Sequence, residues 1–236
     1  MTKSVRNKSL VAILVSAFIL LSDQIFKIWI KTNFHIGQSL NVFGNWFQLY
    51  FVENEGIAFG FSFGETYGKL FLSIFRLLAS MVVLYLLVRQ IKRDKPYLQI
   101  VYIAMIFVGA IGNLVDSCFY GLIFSESTHD TVATMFPEGN GYAGFMYGRV
   151  VDMLYFPLFE WTWPAWVPWV GGNSATFFNA IFNIADSSVC IGVALYVIDQ
   201  LWIHSDKKEE KQLSEDEAIL PDSDQTETPE QPQTIQ

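Results

Sequence analysis

Two apolar stretches of this sequence each carry an asparagine three residues before an aspartate. Asn183 and Asp186 interrupt the run from Phe177 to Ile203, and Asn113 and Asp116 lie near the end of an earlier run. Residues three and four apart lie on one face of a helix, so each run predicts an amide one turn from a carboxylate. An ionisable group at membrane depth is costly unless it faces a partner or water, so these positions indicate a functional site.

A further aspartate, Asp152, is the predicted partner of Asp186. It follows Val150 and Val151 and precedes an apolar run, so we expect it to be buried near the start of the last helix, whose polar face would also carry Asn179. Two acids held close together share one proton, so that one can activate water while the other protonates or hydrogen-bonds a scissile carbonyl. Which acid holds the proton stays open, because such a pair titrates as a unit.

Other polar residues have both a structural and a functional interpretation. Asp23 and Lys27 are four apart with the acid first, the favourable order for a helical ion pair. That pair could support the structure or touch a substrate. Asn54 with Gly56 and Gly60 could bring backbone N–H and C=O groups beside an extended peptide.

Apolar blocks of suitable length predict how the chain is arranged around these residues. Hydrophobic residues make up 52% of the 236 residues, and a helix of about 20 residues crosses a hydrocarbon core of about 30 Å. We predict an all-α polytopic membrane protein with four transmembrane helices, a small β-rich first outer loop and a second outer loop. The predicted spans are residues 10–30, 70–88, 98–116 and 177–203, and the loops are residues 32–68 and 120–176.

The distribution of charge predicts the orientation. Ten acids and three lysines in residues 206–236 account for most of the net charge of −8, and this acidic composition is typical of a disordered tail. We therefore predict a membrane domain over residues 1–205 followed by a cytoplasmic tail. Lysine and arginine concentrate before the first span, between the second and third spans and after the fourth, so the positive-inside rule places both termini in the cytoplasm and both loops outside.

The sequence resembles a known family, the lipoprotein signal peptidases, also called signal peptidase II. The resemblance covers all four spans in order. Its motifs are Asp23…Lys27, Asn54-x-Gly56-x-Ala58-Phe59-Gly60, Gly109-Ala110-x-Gly112-Asn113-x-x-Asp116, Val150-Val151-Asp152 and Phe182-Asn183-x-Ala185-Asp186-Ser187.

The resemblance implies an aspartic endopeptidase of the bacterial inner membrane, which removes signal peptides from prolipoproteins just before a diacylglyceryl-modified cysteine. Asp152 and Asp186 would form its catalytic dyad, with no metal or other cofactor. The expected partners are lipid-modified prolipoproteins, membrane lipids and globomycin-type inhibitors; a nucleic-acid partner is not expected, and the chain is expected to be a monomer. Of the remaining shared positions, four would line the peptide site (Asn54, Gly56, Asn113, Asn183). The others would either bind the substrate or support the site (Asp23, Lys27, Asp116, Ala185, Ser187).

One position departs from the family pattern, because Ser117 stands where the family usually has an arginine directly after the aspartate of the third helix. We hypothesise that Arg76 or Arg149 supplies the missing cation from a neighbouring element. In the alternative, Arg76 only extends its charged end towards water and Arg149 only caps a loop. The first half of the second outer loop, about residues 124–144, is longer than the family usually needs and receives no predicted role.

Two other classes of protein also place carboxylates and amides inside a membrane. A proton-coupled transporter or small channel would spread charge through the bilayer, whereas the four relevant aspartates here are predicted to cluster at one end. A structural subunit would use polar residues only to hold helices together and would tolerate Asp152→Asn. A peptidase would not tolerate that change.

Overall fold

Within the part of the chain that the structure describes, four helices are long and apolar enough to cross a membrane. In this computed structural model, which describes residues 2–55 and 65–219 and the side chains of residues 2–55 and 68–202, the candidate spans are Lys3–Asn33, Gly68–Lys92, Tyr97–Ile123 and Ile184–Trp202. The prediction of four membrane helices is confirmed. The helices that contain them are α1 (Lys3–Asn33), α2 (Glu65–Lys92), α3 (Tyr97–Val115) and α5 (Ile184–Ile219).

The third span continues past the predicted end at residue 116. One π-helical turn, Asp116–Tyr120, follows α3, and the short helix α4 (Gly121–Ile123) completes the span. A π turn is rare and often lies at a functional site. This turn begins at one of the predicted site residues, Asp116.

Small residues allow α1, α3 and α5 to approach each other closely. A Cβ atom built on Gly112 of α3 would lie 2.9 Å from the Cβ of Ala185 on α5 and 3.0 Å from a carboxylate oxygen of Asp23 on α1. Small residues at such crossings are characteristic of helices packed in lipid. Gly112 is therefore the point where the three helices that carry the polar residues converge.

A four-stranded antiparallel sheet covers one end of the helices, which we call the sheet end. Its strand order is β1-β2-β3-β6, so both loops contribute strands, although the sequence predicted strands only in the first. Strands β4 and β5 form a separate two-stranded sheet. The strands are β1 (Ser39–Phe43), β2 (Phe47–Asn54), β3 (Val150–Tyr155), β4 (Phe159–Thr162), β5 (Ser174–Phe177) and β6 (Ile181–Phe182).

The fourth span begins at Ile184, so the prediction of a helix from Phe177 is wrong by seven residues. Phe177 ends β5, and Phe182 of β6 pairs with Leu154 of β3. Apolar composition alone does not distinguish a short buried strand from the first turns of a helix. Asn179 is consequently not on a helix, and its Oδ1 accepts a hydrogen bond of 2.9 Å from the hydroxyl of Tyr155.

The first half of the second loop, which had no predicted role, packs beneath the sheet. Phe124 is fully buried in an apolar cluster with Ile30, Phe51 and Met153, and it forms an isolated bridge with Met135. This segment thus fills the space between the end of α1 and the strands. Its packing supports β2 and β3 from below, and β3 carries Asp152.

Candidate active site

Asp152 lies in the middle of β3, which is buried from Val150 to Met153. The strand pairs with β2 so that Val52 is opposite Asp152, and the Asp152 side chain is only 4% exposed. Asn54, at the end of β2, donates from Nδ2 to the Asp152 Oδ2 over 3.2 Å. The two long loops, which contribute β2 and β3, therefore meet at this carboxylate.

Asp186 lies in the first turn of α5, where Asn183 caps the helix. The Asp186 amide donates to Asn183 Oδ1 over 2.8 Å, the usual N-cap hydrogen bond to the third residue of a helix. The other end of the same amide, Asn183 Nδ2, donates to Asp152 Oδ1 over 2.7 Å. One asparagine thus starts α5 and joins its first turn to the strand that carries Asp152.

Asn113 makes the corresponding link from α3. Its Nδ2 donates to Asp186 Oδ1 over 2.7 Å, and its Oδ1 accepts from Lys27 Nζ at 2.9 Å and from Asn183 Nδ2 at 3.1 Å. Since Lys27 and Asn183 both donate to Oδ1, this oxygen must face them, and the Nδ2 group of the Asn113 amide then faces Asp186. Lys27 therefore fixes the orientation of the amide that holds Asp186.

Lys27, Asp23 and Asp116 form a fully buried charge cluster behind the two aspartates. Lys27 Nζ lies 2.9 Å from Asp23 Oδ2 and 2.8 Å from Asp116 Oδ2, and all three side chains are inaccessible to solvent. Asp23 Oδ1 accepts from the Ala185 amide over 2.9 Å. Lys27 and Asp23 therefore tie α1 to α3 and to the first turn of α5, which fits the structural interpretation of this ion pair.

Gln24 belongs to this cluster, although the sequence did not single it out. Its Nε2 donates to Asp116 Oδ1 over 2.9 Å and to Asp23 Oδ2 over 3.1 Å, and its Oε1 accepts from the Tyr120 hydroxyl over 3.2 Å. The available signal was an uncharged polar residue next to Asp23 inside an otherwise apolar helix.

Arg76 lies about three turns into α2 and points towards the position where the family pattern has its arginine. Its guanidinium donates to Ser117 Oγ over 3.0 Å, and Ser117 Oγ in turn donates to the Asn113 carbonyl over 3.0 Å. Arg76 also interacts electrostatically with Asp186, Asp116 and Asp152. No carboxylate within the described side chains forms an ion pair with it.

Arg149 is differently placed. Its guanidinium contacts carboxylates of Glu53, Glu55 and Glu126, each at 3.2 Å, and lies 5.2 Å from the ring centroid of Tyr142. Glu53 is also paired with the buried Lys31. Arg149 therefore holds the residues on both sides of Asn54, the last residue of β2, and its charge is already matched by acids of this chain.

Burial raises the pKa of the Asp152 carboxyl from its usual 3.8 to about 7. This value of about 7 includes a smaller rise from the negative charge of Asp186 and a decrease from the hydrogen bonds that Asn54 and Asn183 donate. Below about pH 7 the Asp152 carboxyl therefore keeps its proton. That protonation state is required for general acid–base catalysis by a carboxylate pair.

The remaining predicted residues can be located briefly. Ala185 is 1% exposed, which is consistent with its tight packing on Gly112, and Ser187 donates from Oγ to the Asn183 carbonyl over 2.8 Å. Gly56, with the segment up to Gly60, lies outside the described residues. The structure thus brings eleven predicted residues to one end of the helices, Arg76 among them, and places Arg149 in a neighbouring acidic cluster.

Comparison with known proteins identifies one family. Residues 15–202 match the family model described as signal peptidase (SPase) II. A lipoprotein signal peptidase of Porphyromonas gingivalis is 45% identical over 194 residues, covering 82% of this chain and 83% of the relative. One from Amoebophilus asiaticus is 37% identical over 183 residues, covering 75% and 72%.

A solved structure is also similar. A bacterial membrane enzyme determined by the in meso method at 2.3 Å resolution aligns with a TM-score of 0.56 at 28% identity, over 84% of this chain and 92% of that one. The arrangement of four membrane helices with a small sheet therefore has a counterpart among known bacterial membrane enzymes.

Proposed function

Since this chain belongs to the signal peptidase II family, we propose that it hydrolyses the signal peptide from diacylglyceryl-modified prolipoproteins, with Asp152 and Asp186 as an aspartic dyad. The observation that supports this most is the shared environment of the two carboxylates. Asn183 and Asn54 hydrogen-bond to one of them, and Asn113 to the other. The raised pKa of Asp152, about 7, fits an acid that keeps a proton beside an ionised neighbour.

The chemistry needs one protonated and one ionised carboxylate. In our proposal Asp152 carries the proton, because burial raises its pKa, and Asp186 acts as the base. Asp186 removes a proton from a water molecule that attacks the scissile carbonyl. Asp152 donates its proton to the carbonyl oxygen. As the tetrahedral intermediate collapses, the C–N bond breaks, the departing amine takes the proton that Asp186 removed from water, and the oxygen returns its proton to Asp152, which restores the starting pair.

The substrate is held at the membrane surface by its own lipid. Two acyl chains on the modified cysteine keep the scissile bond at the interface, and in our proposal the sheet end faces the outer side with both termini in the cytoplasm. The distribution of lysine and arginine supports that orientation. Membrane anchoring would then replace part of the sequence recognition of the peptide.

Cleavage of a lipid-modified substrate tests the proposal directly. We expect purified protein in detergent to cut a diacylglyceryl-modified prolipoprotein just before the modified cysteine, with product masses identifying the bond. The same prolipoprotein without the diacylglyceryl group should remain intact, and a globomycin-type cyclic peptide should inhibit cutting. Equal cleavage of both substrates would contradict lipid dependence, and cleavage of neither would contradict the peptidase activity.

We also propose that Arg76 supplies the cation that Ser117 lacks. Its hydrogen bond to Ser117 brings the guanidinium beside the dyad, and it forms no ion pair within the described side chains. A guanidinium can donate several hydrogen bonds to carbonyl oxygens in a fixed geometry. Arg76 would bind peptide carbonyls of the substrate next to the scissile bond.

Arg76→Gln is expected to lower kcat/KM by about 100-fold, with little change in Tm. This is the usual effect of removing one hydrogen-bond donor from the oxygen that becomes negatively charged in the transition state. Cleavage assays and thermal melts in the same detergent measure both effects. Arg89→Gln is the matched control, because Arg89 is exposed in the last turn of the same helix. If Arg76→Gln and Arg149→Gln both keep the wild-type rate, then neither arginine replaces the missing cation.

A further inference from the structure

The two-stranded sheet of β4 and β5 is amphipathic. Opposite residues of the pair are Phe159 with Phe177 and Trp161 with Ala175, so these four share one face. The rings of Phe159 and Phe177 stack at 4.7 Å between centroids. The other face carries only polar side chains: Glu160, Thr162, Ser174 and Thr176.

The tip of this hairpin is also aromatic, and it is almost completely uncovered. Trp163 continues the aromatic face of β4, with its ring 5.7 Å from that of Trp161. Beyond it, Trp166 is 81% exposed and Trp169 is 98% exposed. Tryptophan is enriched at the interface between membrane and water, where its ring is embedded at the level of the lipid headgroups.

The hairpin of β4 and β5 extends from the four-stranded sheet, where the pairing of β3 with β6 joins its two ends. At this base of the hairpin, Leu154 pairs with Phe182 and Tyr155 with Ile181, and the Tyr155 hydroxyl donates to Asn179. The hairpin therefore leaves the sheet just before membrane helix α5 begins. Because α5 enters the membrane directly after β6, the base of the hairpin lies at the membrane surface on the sheet side.

The low charge of the hairpin indicates how it would contact lipid. The sequence has no lysine or arginine between Arg149 and Lys207, and Glu160 is the only charged residue in β4 and β5. A segment that binds by attraction to anionic headgroups would be rich in lysine and arginine. Contact here would depend on aromatic side chains alone.

We propose that the hairpin formed by β4 and β5 is a membrane anchor, whose aromatic face and tryptophan tip insert into the headgroup region of the bilayer on the sheet side. The polar face remains in water. The anchor lies in the chain between Asp152 and Asp186, so it holds the strand that bears one carboxylate at a fixed height above the lipid. Binding is to zwitterionic lipid as well as to anionic lipid.

Tryptophan fluorescence of the full chain in liposomes tests this proposal. The emission of Trp166 and Trp169 is obtained by subtracting the spectrum of the double variant Trp166→Phe/Trp169→Phe from that of wild type. The quenchers are phosphatidylcholine brominated close to the glycerol and, separately, iodide present on both sides of the bilayer. Trp29→Phe provides a control difference spectrum, because Trp29 lies in the membrane helix α1 and is 41% exposed.

The expected result is that the brominated lipid removes most of the difference emission and iodide removes little of it. Replacing part of the phosphatidylcholine by phosphatidylglycerol should leave the quenching unchanged. Quenching by iodide alone would show that the tip stands in water, and quenching by neither reagent would show that protein covers it. Either outcome, or lipid quenching that requires phosphatidylglycerol, would overturn the proposal. None of these outcomes depends on peptidase activity.

Discussion

Asp152→Asn is expected to lower the rate of prolipoprotein cleavage by at least about 1,000-fold, because in our proposal Asp152 is the acid of a catalytic pair whose members act as a unit. Asp186→Asn should lower the rate to a similar extent. An asparagine at position 152 still offers an oxygen to the Asn183 amide, although its own N–H group then faces the Asn54 amide. We therefore expect the folded protein to persist, which circular dichroism and thermal melts in detergent can verify.

Asp130→Asn is the matched control for this experiment. Asp130 is an exposed acid of the same loop, and its substitution should leave the rate unchanged. Substantial activity in Asp152→Asn would remove Asp152 from the dyad. The role of the acid would then pass to another buried aspartate, Asp116 or Asp23.

The pH dependence of the wild-type protein tests the role of the Asp152 carboxyl in a second way. Its pKa in the folded protein, about 7, is above its usual 3.8, so the folded state binds this proton more tightly than the unfolded state does. Stability should therefore fall as pH rises from about 4 through 7 and then level off. Cleavage should decrease as pH rises above about 7, when the pair loses its shared proton. If the Asp152→Asn variant shows the same fall in Tm, this carboxyl does not cause it.

Lys27→Met is expected to destabilise the protein by about 3–5 kcal/mol, the usual effect of removing one partner from a buried ion pair. Asp23 and Asp116 would remain as inaccessible carboxylates without their cation. For a domain of this size the loss corresponds to a decrease of about 10 °C in Tm. Thermal unfolding in detergent, followed by circular dichroism, measures it.

A double variant distinguishes charge from packing. If uncompensated charge causes the loss, Lys27→Met/Asp116→Asn should recover part of the stability, because one of the two buried negative charges has gone. Lys95→Met serves as the control, since Lys95 is exposed between α2 and α3 and its loss should not change Tm. A Lys27→Met variant as stable as wild type would mean that both acids are protonated in the folded protein.

The membrane helices were predictable because the length of an apolar run is a local property of the sequence. The sheet was only partly predictable. Strand β3 pairs with β2 from the other loop, so that Asn54 lies opposite Val150, and no local pattern reports such a distant pairing. The sequence placed Asp152 near Asp186 correctly because burial and chemistry both required a partner for an intramembrane acid.

Asn183 shows how a correct choice of residue can rest on an incorrect local structure. Its spacing from Asp186 was interpreted as one turn within a helix, whereas Asn183 precedes the helix and caps it. Asparagine followed three residues later by an acid also fits the start of a helix, so the alternative signal was present. Gln24 was missed for a different reason, since its importance depends on contacts with Gly112 of α3 and with Asp116 and Tyr120 of the π-helical turn, which are distant in the sequence.

The chain order of these contacts has a consequence for biosynthesis. Asp23 on the first membrane helix receives a hydrogen bond from Ala185 at the start of the last one, and Asp152 depends on Asn183 at the same boundary. A nascent chain that ends before Asn183 contains Asp152 but, of the two amides that hydrogen-bond to its carboxylate, only Asn54. In our proposal, proteolytic competence therefore arises late in translation, after the final helix has left the ribosome and entered the bilayer.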